Sequence, residues 1–82
     1  MNNLAWIFLT APNEQLRNKD KALELAKRAV TLEKAPAFLD TLAEAYYVNG
    51  LIQEAVKTIE EAITLATNGR EYYERQLKKF LE

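Results

Sequence analysis

Asp40 and Glu44 stand four residues apart, a spacing that on a helix points both carboxylates the same way, with Tyr47 about one turn further on. Three chemistries compete for this trio. As an acid and a base, the carboxylates would need a nucleophile, an oxyanion donor and a closed pocket beside them, and the sequence supplies none. As a cation site they fall short, because a hard ion such as calcium takes about 6 to 8 oxygen ligands. The remaining chemistry is recognition, in which a basic or N–H-rich peptide lies over an acidic and aromatic face. A solvated acidic face with no partner is the plainer alternative, and both stay open at this point.

The rest of the chain narrows the choice. Its 82 residues fit one small domain and include no Cys and no His, which excludes disulfides, the usual zinc ligands and an imidazole base. No catalytic, cofactor-binding or metal-ligating residue is assigned, and the chain is not read as an enzyme. Lys and Arg number 11 against 12 Asp and Glu, for a formal net charge of -1. That balance argues against nucleic acid or an anionic membrane as the main partner. No apolar run approaches the ~20 residues of a membrane-spanning helix, and the N-terminus lacks the basic start and small-residue cleavage pattern of a secretory signal. A soluble, unprocessed and cytoplasmic protein is expected.

The elements that position the trio are helical throughout. With two Gly and two Pro, and with Ala, Leu, Glu and Lys prominent, the composition predicts an all-α fold. Five helices are expected at about 2–10, 20–33, 36–49, 52–66 and 70–82. Asp20 is placed to cap the second, whose apolar face runs through Leu23, Ala26, Ala29, Val30 and Leu32. Pro36 suits a first helical turn, Gly50 the stop of the third helix, and Asn68-Gly69 the stop of the fourth. The last helix sets Tyr73, Leu77, Phe80 and Leu81 against Glu71, Glu74, Arg75, Lys78 and Lys79, a polar side that solvates the end of the fold. Lys78-Lys79 is too small for a nucleic-acid patch and suits the dipole at a helix C-terminus.

The chain also repeats itself. Ala22, Ala29 and Leu32 recur 33 residues later as Ala55, Ala62 and Leu65, and Leu4-Ala5-x2-Phe8 recurs after 38 as Leu42-Ala43-x2-Tyr46. The surplus falls in Ala11 to Asp20, where Pro12 breaks the chain and Leu16 is expected to fold back onto the hairpin. A lengthened connector accounts for that loop better than a recognition loop does, since loops tolerate insertion. Tyr73 and Phe80 follow Leu39 and Tyr46 by 34 residues, a partial third copy. In the second copy, Leu39, Leu42, Ala43, Tyr46, Gly50, Ala55, Ile59, Ala62 and Leu65 set large and small residues at the spacing that stacks helix hairpins. This resembles the tetratricopeptide repeat, whose pattern runs large-x2-Leu-small-x2-Tyr, then Ala-x3-large, then a second Ala. The resemblance covers essentially the whole chain as a single domain over 1–82. It implies a first repeat at 1–35, a second at 36–69 and a capping helix at 70–82, stacked as antiparallel hairpins in a short right-handed superhelix.

The resemblance further implies that the first helix of each pair lines a concave groove where a partner peptide lies. The groove slots then fall on Asn2, Trp6 and Leu9, on Asp40, Glu44 and Tyr47, and on Glu74, Lys78 and Leu81. Such a groove would be aromatic and apolar at one end and acidic in the middle. The family's carboxylate clamp is not expected, because Asp40 and Glu44 stand where it needs positive charge. The function implied is a non-catalytic protein-interaction module that binds a basic or apolar peptide or protein partner. The alternative is a structural or self-assembling repeat fragment, natural or engineered, with no external ligand. The first helix begins so near the terminus that the array reads as cut, which makes Trp6, Ile7 and Leu9 candidates for a homodimer contact or hairpin exchange through the N-terminal repeat.

Overall fold

Residues 18–82 are described by the computed structural model, and four helices account for most of them. They are α1 (Lys19–Leu32), α2 (Pro36–Val48), α3 (Ile52–Leu65) and α4 (Arg70–Leu81). No strand occurs among the described residues, so the stretch is all-α, and each helix begins and ends within one residue of its expected position. The expected helix at 2–10, with Asn2, Trp6 and Leu9, and loop positions 11–17 lie outside the described residues.

Local chemistry sets the helix ends. Asn18, and not Asp20, caps α1: its side chain accepts a hydrogen bond from the Lys21 N–H at 3.0 Å, while Asp20 sits inside the first turn. Both residues can cap, but Asn18 holds the extended backbone that the cap position needs. Pro36 opens α2, where its missing N–H costs nothing. At the other end of α2, Gly50 takes a positive φ of 79°, the Leu51 N–H returns to the Tyr46 carbonyl at 2.9 Å, and the Gly50 N–H to that of Tyr47 at 3.0 Å. That pair of bonds is a Schellman closure, which glycine permits because it has no Cβ to clash.

The core forms two clusters that meet on α2. Ala22, Leu25 and Ala26 of α1 pack with Leu42 and Ala45. On the other side, Leu39 and Ala43 pack with Ala55, Ile59 and Ala62 of α3 and Phe80 of α4. Tyr46 and Val30 touch both clusters. Ala43, Ala55 and Ala62 are fully enclosed, so the small residues of the repeat pattern sit where helices approach most closely. Asn49 adds a polar tie, donating to the Lys19 carbonyl at 3.1 Å and the Ala45 carbonyl at 2.8 Å. The end of α2 is thereby fixed to the start of α1, as two helices running back along each other require.

Three leucines depart from the expected apolar faces. Leu32, Leu65 and Leu81 are 74%, 44% and 67% exposed. Each is the last residue of its helix.

Candidate interaction site

Asp40, Glu44 and Tyr47 do share one side of α2, and α4 lies across that side. Gln76 donates through Nε2 to Asp40 Oδ1 at 3.1 Å. Three residues further along α4, the Lys79 ammonium reaches Glu44 at 2.7 Å and 3.0 Å to its two carboxylate oxygens. Phe80 then stacks on Tyr47 with ring centroids 4.9 Å apart and the planes tilted by 31°. The Lys79 nitrogen also lies 5.4 Å from the Tyr47 ring centre and 5.2 Å from that of Phe80, within range of a cation–π attraction. Amide, cation and aromatic ring on one helix thus meet carboxylate, carboxylate and aromatic ring on the other.

This seam changes the standing of the expected groove residues. Asp40 is buried and Glu44 and Tyr47 are half-buried, each already engaged by α4. Glu74 and Lys78 of α4 are exposed, and no hydrogen bond or ion pair among the described residues joins them to the trio. Leu81 is exposed at the end of the same helix, and Asn2, Trp6 and Leu9 lie outside the described residues. Lys79 does more than complement a helix dipole, since it has a specific partner in Glu44. Gln76 was not singled out by its type, yet a signal for it existed. Asp40 to Gln76 spans 36 residues and Glu44 to Lys79 spans 35, close to the period at which the sequence repeats itself, so side chains about one period apart meet across α2 and α4.

Among the described residues, no group of three or more His, Cys, Asp or Glu is placed to hold a metal ion, and no helix is long and apolar enough to cross a membrane. A shallow open depression of about 450 Å³ lies elsewhere, lined by Tyr46, Glu54, Lys57, Thr58 and Glu61. Its mixed charges form an ordinary polar surface, with Lys34 paired to Glu61 at its edge.

Burial pushes the Asp40 carboxyl above its ordinary range, and the nearby Glu44 charge adds to this, while the Gln76 amide, the Tyr72 hydroxyl and Lys79 oppose it. Burial and the Asp40 charge raise the Tyr72 phenol as well. The sign for stability follows directly. A carboxyl whose pKa is higher folded than unfolded favours the fold most below the unfolded value, and that contribution is lost as pH rises through the folded value. Asp40→Asn keeps an acceptor for Gln76 and removes the buried charge. Thermal melts across the acidic to neutral range should therefore show a flatter pH dependence for the variant and, at neutral pH, a melting point no lower than that of the parent. A variant that melts markedly lower at neutral pH would mean that the Gln76 and Tyr72 hydrogen bonds to the charged carboxylate, with the Lys79 charge, outweigh desolvation.

No protein-family model matches the chain, and no curated protein or solved structure is found similar to it.

Proposed function

We propose that this chain is a non-catalytic protein-interaction module of the tetratricopeptide kind, with its hairpins stacked as a short right-handed superhelix. Its partner is a peptide or protein that carries cationic and aromatic side chains. The partner lies on the inner face that α2 and α4 share, against Glu74 and the accessible parts of Glu44 and Tyr47; Asn2, Trp6 and Leu9 belong to the proposed set by sequence alone. A cytoplasmic setting accords with a chain that has no cysteine.

One observation carries this reading: the same face already accommodates Lys79 and Phe80 of α4 against Glu44 and Tyr47. The accessible rim of this face therefore carries the charge to attract a further cationic side chain, while the Tyr47 ring itself is stacked on Phe80. Glu44 keeps part of its surface accessible, and Glu74 stands exposed on the neighbouring helix to extend the acidic character. The second reading, self-assembly without an external ligand, draws support from Tyr72 and Leu81, which are 46% and 67% exposed on α4.

Fluorescence anisotropy with labelled peptides containing a lysine next to an aromatic residue tests the first reading. Glu74→Lys, which leaves the seam untouched, should weaken binding roughly threefold to tenfold with helicity unchanged, the range expected for a charge at the rim of a site. Equal affinity for acidic control peptides, or no change on charge reversal, would count against the acidic face as the binding surface.

A further inference from the structure

We propose that α4 is exchangeable between two copies of this chain, so that the helix covering Asp40, Glu44 and Tyr47 of one copy is supplied by the other. The occupant is a second copy and not a foreign ligand, so the proposal goes beyond the peptide-binding reading and does not depend on it. Three features of the seam support exchange. First, α4 is held less deeply than α2: Phe80 is its single fully buried residue, whereas α2 has six. Second, beside Tyr73 and Leu77, which pack on the same core cluster but are only partly buried, its grip includes polar and specific contacts, Gln76 on Asp40 and Lys79 on Glu44. An exchanged helix makes the same contacts, so trading α4 between copies loses none of them.

Third, the connection from α3 to α4 is short and turns on one residue. Ala66 to Gly69 separate the two helices, and Gly69 has a φ of 71° with nothing within 4 Å of where a Cβ would stand. The reversal therefore rests on backbone conformation at Gly69, whose carbonyl accepts the Tyr72 N–H at 3.1 Å in the first turn of α4 itself. Closing α4 onto its own body and opening it toward a neighbour differ mainly at this hinge and in the effective concentration of the tethered helix.

Charge reversal with complementation tests this on full-length chains. The Glu44→Lys chain and the Lys79→Glu chain each place like charges across their own seam. Mixed together, they restore opposite charges in both seams only if α4 crosses between copies. Sedimentation and native mass spectrometry should show a heterodimer at concentrations where each variant alone is monomeric, with at least tenfold tighter association. A mixture that stays monomeric while both chains remain helical overturns the proposal. If either reversal costs helicity, Gly69→Ala provides the second test, because a Cβ disfavours the left-handed hinge of the closed form. Dimer formation should then rise about tenfold or more. An unchanged dimerisation constant in that variant overturns the proposal equally, and neither result bears on whether a foreign cationic peptide binds the parent chain.

Discussion

Ile59→Ala should destabilise the fold by about 3 to 4 kcal/mol, within the range for removing a buried isoleucine side chain. The upper part of that range is expected because of what surrounds the site. Ile59 is fully enclosed, and Ala43, Ala55 and Ala62 pack in the same cluster. Alanines have no rotamers with which to fill a void, and the larger members of the cluster, Leu39 and Phe80, are themselves buried and held by their own contacts. The cavity therefore stays open, and its lining loses contacts outright. For a domain this small the total margin is on the order of 5 kcal/mol, so the variant would retain little of it. Urea unfolding followed by circular dichroism should show a much lower midpoint with an unchanged slope. A loss under about 1 kcal/mol, the size expected for Ile59→Val, would mean that the stacked helices can slide together after all.

The same cluster shows what the sequence made legible and what it did not. Ala43, Ala55, Ile59 and Ala62 were identifiable because close approach between helices demands small residues at fixed intervals, and that demand is local and periodic. Gly50 was identifiable because a left-handed closure has few alternatives. The cap of α1 was harder, since Asn18 and Asp20 stand two residues apart and differ only in which one takes the extended backbone. The seam was harder still. Helical spacing correctly put Asp40, Glu44 and Tyr47 on one side of α2, but spacing says nothing of which other helix covers that side. Asp40 was expected to line an open groove and is instead 7% exposed beneath Gln76. Leu32, Leu65 and Leu81 failed for a related reason: periodicity assigns a face to every residue of a helix, while burial also requires a neighbour at that position, and Leu81 is exposed directly beside buried Phe80.

Phe80→Ala should release α4 while α1 to α3 stay folded. Removing a buried phenylalanine costs about 3 to 5 kcal/mol, and where that cost falls depends on what else holds the element. Tyr73 and Leu77 pack on the same cluster but are only partly buried. The Lys79–Glu44 pair cannot substitute, since the Lys79 side chain is 42% exposed and partly exposed pairs contribute about 1 kcal/mol or less. The Gln76–Asp40 bond is offset by the desolvation that raises the Asp40 carboxyl. Once undocked, the 12 residues of α4 are too few to stay helical in water, so release and melting coincide. Amide hydrogen exchange should show protection lost across Arg70–Leu81 and kept in α2 and α3, the pattern of a separate opening unit. Lys79→Ala should produce only a small fraction of that loss. If the two variants instead lowered protection evenly over all four helices, α4 would be part of one cooperative unit, and its one fully buried side chain would not set how it opens.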